Sequence, residues 1–319
     1  MTDIVSATSD EAHHDTETSL TSENPPDSAL VSSTSKEPDI IKSEKRVRIN
    51  IFKPDGSEVP YDDHIGWGLE CIVIRHGEDR ALKIPFIKSE QAEDGSWSEP
   101  KPHYYSADCM ALEQKAYERL YGVAGIAEYF GFESGGIAMK YYLKGSLERC
   151  LPDADESTRR RWMVEATKII RNCHEARVLL FDIAMRNFVV SDDMTLRAID
   201  FAAAYVLEYG VDMVIANSDG VTVKVDLFHL GCVIYSLATG TKYQADCFDE
   251  KDWPTEFPPT ENITAGHVIR SSWEGRYSSA QEMLDELRAS LVASPQPILY
   301  AHDALFKAAT SVAASCTVQ

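Results

Sequence analysis

From residue 46 onward, apolar and polar residues alternate with the two-residue period of a half-buried β-strand. Val47, Ile49 and Ile51 carry this alternation, and the turn Pro54-Asp55-Gly56 follows it. The pattern predicts a hairpin that opens an antiparallel sheet. Similar patterns predict four more strands, with a turn at 76–79 between the first two of them; the four lie at 65–74, 80–85, 126–132 and 137–142.

One helical period interrupts these strands. It predicts a helix at about 107–122 whose apolar face carries Met110, Ala111, Ala116, Tyr117 and Leu120. The polar residues before this helix, 87–105, include a glycine and two prolines, which predicts a surface insertion.

After Gly145 the apolar period becomes mainly helical. Ser157 is predicted to cap a helix that ends near Cys173, with an apolar stripe that includes Trp162, Ala166, Ile169 and Ile170. Further helices are predicted at 226–238 and 279–291, and short strands at 178–180, 188–190 and 197–199. A mostly β region followed by a mostly α region is an α+β arrangement, in which the cleft between the regions is a common ligand site.

The first 45 residues are rich in Ser, Thr, Asp, Glu and Pro. They carry too few large apolar groups to offset the entropy of ordering, so a disordered acidic tail is predicted at 1–45. The whole chain has a formal net charge of −20, from 31 basic and 51 acidic residues. Because such a chain repels nucleic-acid backbones and anionic lipid, we expect neither nucleic acid nor a membrane as the main partner.

The seven cysteines are scattered, without paired metal-ligand spacing or a disulfide framework. The N-terminus has no secretory signal pattern, and no apolar run reaches the roughly 18 residues needed to span a bilayer. These features predict an intracellular protein, cytoplasmic or nuclear, with reduced thiols.

The first candidate functional residues along the chain are Gly66 and Gly68, which lie at a turn between predicted strands. Glycines there let backbone amides approach a phosphate group, although a hairpin turn alone also explains them. Lys83 follows at a strand's distance, and Glu113 lies on the predicted helix. Taken singly, Lys83 is a typical surface charge and Glu113 a typical exposed helical residue.

The strongest chemical signal lies at residues 180–202. Asp182 is followed after four residues by Asn187 and a hydrophobic strand, and then by Asp200-Phe201-Ala202. This order resembles the catalytic loop and magnesium-binding segment of the protein kinases.

The resemblance implies roles for these side chains. Asp182 would accept the proton of the substrate hydroxyl, and Arg186 would stabilise the transferring phosphoryl group, contact substrate or support the loop. Asn187 and Asp200 would bind Mg²⁺, which prefers oxygen ligands. Glu113 would pair with Lys83 and hold it against the phosphates of ATP. The implied ATP-binding residues are Ile65, Gly66, Gly68, Val73, Ala81, Lys83, Met139 and Tyr141.

The resemblance extends over about 46–292, in the family's order. Residues 139–147 resemble the hinge between the two kinase lobes, which runs into the first helix of the large lobe, and backbone groups of Tyr141 and its neighbours would bind the adenine edge. Residues 226–231 resemble the buried central helix, whose Asp226 would anchor the catalytic loop. Residues 272–280 are similar to the closing segment of many divergent fungal kinase-like proteins. The implied fold is bilobal, with a β-rich lobe at 46–140, a helical lobe at 141–292 and a tail at 293–319.

Several positions depart from the family pattern. Leu180-Phe181 replaces the usual His-Arg, which removes the cation that grips a phosphorylated activation loop and argues against that switch. Leu180 would instead pack in an apolar column with Tyr117, Phe201 and a strand residue. Ala202 and Cys71 replace glycines and add a Cβ near the site, which is expected to slow catalysis without abolishing nucleotide binding. Cys71 is a modifiable thiol or, as we favour, an inert small residue.

Together these residues predict an ATP- and Mg²⁺-dependent phosphotransferase, a protein kinase acting on Ser or Thr hydroxyls of an unidentified protein. Two alternatives stay open. One is a pseudokinase, a nucleotide-binding scaffold whose altered loops no longer support turnover. The other is a small-molecule kinase, since only some two dozen residues separate Phe201 from Asp226 and no Ala-Pro-Glu triplet closes a peptide platform.

Overall fold

The chain is a mixed α+β protein in which a β-sheet region precedes a mainly helical region. A computed structural model describes residues 49–68, 70–103, 105–215, 222–245, 247 and 253–293. The predicted tail at 1–45, Val47 and all but one residue of the C-terminal tail lie outside the described residues. No helix in the described ranges is both long enough and apolar enough to cross a membrane.

Eight strands form two antiparallel sheets in the first region. They are β1 (Ile49–Phe52), β2 (His64–Trp67), β3 (Cys71–Arg75), β4 (Arg80–Pro85), β5 (Ile87–Glu90), β6 (Lys101–Pro102), β7 (Tyr129–Glu133) and β8 (Gly136–Lys140). The larger sheet has the order β2-β3-β4-β8-β7. The strand predicted at 65–74 is divided into β2 and β3, because the Gly68 N–H donates to the Cys71 carbonyl oxygen at 2.9 Å and closes a turn.

The smaller sheet, β1-β5-β6, corrects the prediction for residues 87–105. This segment is not simply a surface insertion, since β5 pairs with β1 from Ile49↔Glu90 to Phe52↔Ile87. The predicted turn at 54–56 is present but carries a single bridge, Phe52↔Glu58. The apolar pattern did not predict this sheet, because three of the four side chains of β5 are polar. The one that is buried, Ser89, donates its hydroxyl to the Ser98 carbonyl oxygen at 2.6 Å.

Besides three single-turn 3-10 helices, the described fold contains six α-helices and four further short strands. The helices are α1 (Ser106–Arg119), α2 (Leu147–Cys150), α3 (Glu156–Glu175), α4 (Val223–Thr239), α5 (Gly266–Trp273) and α6 (Ala280–Ala293). The strands are β9 (Val178–Leu179), β10 (Phe188–Val190), β11 (Leu196–Ala198) and β12 (Tyr205–Val206). The predicted helices at 107–122, 226–238 and 279–291 are confirmed, and α2 begins where the resemblance implies a helix after the hinge. Helix α5 was not predicted.

The N-terminus of α3 differs from the prediction by two residues. The cap is Asp155, whose carboxylate accepts the N–H of Thr158 at 2.7 Å, and not Ser157, whose hydroxyl donates to Asp155. Both residue types are common N-caps, so the pattern alone did not separate them. The predicted apolar stripe of α3 is buried, including fully buried Trp162 and Ala166.

Helix α4 lies in the helical core, where Gly231 is packed against Ser272 and Trp273 of α5. Gly231→Ala should destabilise the protein, although alanine is the better helix former by about 1 kcal/mol. An added Cβ would lie 2.0 Å from the Ser272 hydroxyl oxygen and 3.2 Å from Trp273 Nε1. Since overpacking costs about 1–3 kcal/mol, we expect urea denaturation to show a lower free energy of unfolding for this variant.

The double variant Gly231→Ala/Ser272→Ala tests the cause of that loss. Removing the Ser272 hydroxyl removes the shortest contact of the new Cβ, so the two substitutions together should cost less than the sum of their separate costs. Purely additive losses would contradict the proposed clash.

Candidate functional site

A cavity of about 390 Å³ lies between the larger sheet and the loops that follow α3. Its volume lies in the range of small-molecule sites. Apolar side chains from both sides line it, among them Ile65, Val73, Ala81 and Met139 from the sheet and Val189 and Ile199 from the helical region. Gly66, Gly68, Lys83 and Tyr141 also line it, so all eight predicted ATP-binding residues meet at one cavity.

Lys83 joins three distant parts of the chain at this cavity. Its Nζ lies 2.6 Å from Glu113 Oε2 and 2.7 Å from Asp200 Oδ1. Glu113 is fully buried on α1, and Lys83 is 7% exposed on β4. Taken singly, Lys83 resembles a surface charge and Glu113 an exposed helical residue. In the fold both are buried and paired with each other.

The charges of this trio depend on one another. Burial alone would disfavour the Lys83 ammonium group, but Glu113 and Asp200 outweigh burial and raise the pKa of Lys83 above its usual range. Burial likewise opposes the charge of Asp200, yet contact with Lys83 holds the pKa of this carboxyl group below its ordinary value. Lys83 is thus cationic and Asp200 anionic at neutral pH.

The loop from Asp182 to Asn187 forms a second polar group beside the cavity. The Asn187 amide nitrogen donates to the Asp182 carbonyl oxygen at 2.9 Å and to Asp182 Oδ2 at 3.0 Å. Arg186 Nη2 donates to both carboxylate oxygens of Asp182, at 2.8 and 2.9 Å, and its Nη1 donates to Gln244. Asn187 and Arg186 line the cavity, and they fix the orientation of the Asp182 carboxylate at its side.

Backbone contacts connect the Asp200 segment to both of these groups. The Phe201 N–H donates to Glu113 Oε1 at 3.2 Å, and the Ile199 N–H donates to the Asn187 carbonyl oxygen at 2.9 Å. Asp200 itself has a φ of +64°, a left-handed conformation that is uncommon for residues other than glycine. Such strained positions occur often at functional sites, where neighbouring contacts hold them.

Asp226 anchors the start of the Asp182 loop from below. Its fully buried carboxylate accepts the N–H groups of Leu180 at 2.8 Å and Phe181 at 2.7 Å, and it contacts His174 Nε2 at 2.8 Å. Phe181 is also left-handed, with a φ of +64°. The contact between α4 and this loop backbone, predicted for Asp226, is present.

An apolar column connects the sheet to the helical region. The Tyr117 ring lies 5.1 Å from Tyr129 and 4.8 Å from Phe201, measured between ring centroids. Tyr129 on β7 is the strand residue that the sequence left unnamed. Leu180, 6% exposed, belongs to the same buried cluster.

The hydrogen bonds differ between the backbone groups of Tyr141 and its neighbour. Its N–H donates to the Asp79 carbonyl oxygen at 2.7 Å, so this group is not free to bind a ligand. The N–H of the next residue, Tyr142, has no acceptor among the described residues, and Tyr142 also lines the cavity. Asp79 lies in the turn between β3 and β4, and no sequence pattern indicated that its carbonyl oxygen would accept the Tyr141 N–H.

Several cavity residues were not predicted from the sequence. Trp67 lies between the two glycines and is 61% exposed. Lys140 and Arg149 line the cavity, and neither side chain has an acidic partner among the described residues. Arg149 follows the Gly145-Ser146 pair at the start of α2, and its proximity to that pair in sequence was the signal available.

The polar groups fit a magnesium ion better than a transition metal. In the described part of the chain, no cluster of three or more His, Cys, Asp or Glu side chains forms a metal site by itself. Both amide hydrogens of Asn187 are directed to Asp182, which leaves its amide oxygen, with the Asp200 carboxylate, as oxygen ligands at the cavity. Magnesium typically takes one or two such protein ligands and completes its shell with water and phosphate oxygens.

The Cys71 thiol also lines the cavity but is unreactive by this geometry. The residue is 4% exposed, and burial raises the pKa of its thiol to about 12. A protonated thiol is a poor nucleophile, which supports the inert alternative over the modifiable one.

Comparison with known proteins adds no relative to this description. A scan against protein-family models finds no match for this chain, and a search of curated proteins finds none.

Proposed function

We propose that this chain is an ATP- and Mg²⁺-dependent phosphotransferase of the protein kinase superfamily. The observation that carries the proposal is the contact of Lys83 with both Glu113 and Asp200 at one cavity, beside the Asp182–Asn187 loop. Because phosphoryl transfer depends mainly on positioning and charge stabilisation, a fixed lysine, carboxylates and an amide are the groups that it requires.

The proposal includes a bilobal fold with a β-rich lobe at 46–140 and a helical lobe at 141–292. The mixed α+β order supports it, and so does the cavity lined by residues from both regions. The Asp226 contact with the loop backbone, as expected from the family resemblance, supports it further.

ATP fits the charge of the cavity. Four cationic side chains line it although the chain carries a net charge of −20: Lys83, Lys140, Arg149 and Arg186. Lys83 would hold the phosphates, with the apolar walls around the base. The N–H of Tyr142, which has no acceptor in the described part of the chain, would donate to the adenine edge in place of the Tyr141 N–H.

Asn187 and Asp200 would hold the magnesium ion, which when bound supplies charge neutralisation on the phosphate oxygens. Asp200 reaches this role only by sharing its carboxylate between Lys83 and the ion. Asp182 would orient the acceptor hydroxyl and take its proton, and the Ser or Thr hydroxyl of a protein is the acceptor we propose.

A pseudokinase is the second candidate, and one contact favours it. Arg186 donates to both oxygens of Asp182, so the proposed base is already hydrogen-bonded where it would accept a proton. In the active form Arg186 must release at least one of these oxygens when substrate binds.

We also infer an intracellular location, cytoplasmic or nuclear. Four cysteines in the described ranges, Cys71, Cys109, Cys150 and Cys173, have free thiols, which is typical of a reducing compartment.

Two assays on the unmodified chain separate these functions. A thermal shift with MgATP, absent without Mg²⁺, is expected for a nucleotide-binding protein. Transfer of labelled γ-phosphate to the chain itself or to generic protein substrates is expected only for the active kinase. A thermal shift without phosphate transfer indicates the scaffold, and transfer to metabolites alone indicates a small-molecule kinase. If the chain shows no thermal shift and no transfer, the proposal is wrong.

A further inference from the structure

Glu70, at the end of the turn between β2 and β3, contacts three separate elements. Its carbonyl oxygen accepts the Phe86 N–H at 2.9 Å and the Ser106 hydroxyl at 2.6 Å. Its carboxylate pairs with Nδ1 of His103. Phe86 follows β4, His103 follows β6, and Ser106 is the first residue of α1.

The two partners nearest to α1 are themselves fixed. The Ser106 N–H donates to the His103 carbonyl oxygen at 3.1 Å, and the His103 N–H donates to the Phe86 carbonyl oxygen at 2.8 Å. Ser106 is fully buried. A buried hydroxyl that loses its acceptor has no water to replace it, so this contact is strongly specified.

Helix α1 carries this connection to the cavity. Ser106 and Glu113 are seven residues apart on one helix, which corresponds to about 10 Å along its axis. Glu113 holds Lys83 at the other end. The β2–β3 turn and the Glu113–Lys83 pair are thus connected through a short, continuous set of hydrogen bonds and one helix.

We propose that Glu70 is a positioning residue that couples the β2–β3 turn to α1. The turn, with Gly66 and Gly68, and the Glu113–Lys83 pair then take up their positions at the cavity together. The coupling is a property of the fold, whereas its effect on nucleotide affinity rests on the proposed function.

The two contacts of Glu70 with this region differ in strength. The His103 and Glu70 side chains are 42% and 23% exposed, and ion pairs with such solvent access contribute little. The Ser106 hydroxyl bond is buried and should carry most of the coupling. The segment at 87–103 contributes through the backbone of His103 as well as its ring.

Amide hydrogen exchange on the nucleotide-free chain tests the coupling. Ser106→Ala should raise exchange about fivefold at two places together, in β2 and β3 and in the first two turns of α1. Ser272→Ala is the matched control, because its hydroxyl is equally buried and donates to the Leu227 carbonyl oxygen at 2.8 Å within the helical region. The control should leave both places unchanged.

A second set of variants addresses the side chain of Glu70. Glu70→Ala should raise amide exchange at the same two places by a smaller factor. Glu70→Gln should exchange as slowly as the unmodified chain, because its amide oxygen still accepts from His103. His76→Ala is the control, since His76 is also 42% exposed and pairs with Glu133 at 3.7 Å without contacting α1. These variants keep the test open if Ser106→Ala does not fold.

Nucleotide affinity then distinguishes this proposal from the proposed function. Ser106→Ala should weaken MgATP binding about fivefold while transfer at saturating ATP stays within twofold, a pattern that general destabilisation does not produce. If MgATP binds but Ser106→Ala and Ser272→Ala exchange alike at both places, the coupling is wrong and the function stands. If the chain binds no nucleotide, the proposed function fails, and the exchange data still decide the coupling.

Discussion

Asp182→Ala should lower phosphoryl transfer by a factor of about 10²–10⁴, the range in which general bases contribute. The carboxylate is the proposed proton acceptor, and no other carboxylate of the described residues lies on the same loop. MgATP binding should persist or tighten, because the substitution releases Arg186 beside the cavity and removes a negative charge. Initial transfer rates and a thermal-shift titration measure the two effects.

Asp192→Ala is the matched control for this variant. Asp192 is an exposed aspartate in the turn that follows β10, and it is not among the residues that line the candidate site. It should transfer phosphate at the rate of the unmodified chain. Equal rates for Asp182→Ala and the unmodified chain would remove Asp182 from the mechanism, and a joint loss of transfer and binding would assign it a structural role.

The sequence was most informative where one residue type satisfies one physical requirement. The apolar periods of α1, α3, α4 and α6 follow directly from burial, so these helices were predicted to within a few residues. Lys83, Glu113 and Asp200 were grouped by family resemblance alone, since each is unremarkable in its own segment. Their ion pairs connect residues separated by as many as 117 positions, a distance that no local pattern encodes.

The misses have a common physical origin in backbone contacts. The β1–β5–β6 sheet depends on main-chain pairing of β1 with β5 and of β5 with β6, and the side chains of β5 and β6 are largely polar. The Tyr141 N–H is lost to a carbonyl oxygen of a distant turn. Main-chain groups are the same for all residues except proline, so such pairings leave no mark on side-chain patterns.

The same limit applies to Glu70, which acts partly through its carbonyl oxygen, a group that any residue would supply. Arg149 differs, because it is a cavity side chain that lies four residues after the positive-φ residue Gly145, and this proximity to the predicted hinge was a usable sequence signal.

The departure at Leu180-Phe181 now has a structural counterpart. The Phe181 ring lies 5.6 Å from the ring of Tyr205, which belongs to the segment after Asp200. In the proposed kinase, an aromatic contact therefore stands where the family uses an arginine to hold this segment. Such a contact requires no phosphate, which is consistent with the expected lack of switching by loop phosphorylation.

Asp226→Ala should reduce the free energy of unfolding by about 3–5 kcal/mol, because it leaves the buried Leu180 N–H and the partly buried Phe181 N–H without this acceptor. One of them belongs to Phe181, whose left-handed backbone costs about 1–3 kcal/mol and needs support from its surroundings. Since domains are stable by about 5–15 kcal/mol, this loss removes from about a fifth to all of the free energy of unfolding of a typical domain.

Urea denaturation followed by tryptophan fluorescence measures this loss against two further variants. His174→Leu removes one contact of Asp226 but leaves both N–H bonds, so it should cost only about 1–2 kcal/mol and remain folded if Asp226→Ala does not. Asp192→Ala, which is exposed, should stay within about 0.5 kcal/mol of the unmodified chain. If Asp226→Ala cost no more than His174→Leu, the loop backbone would not depend on Asp226. The orientation of Asp182 would then have to come from Arg186 and Asn187 alone.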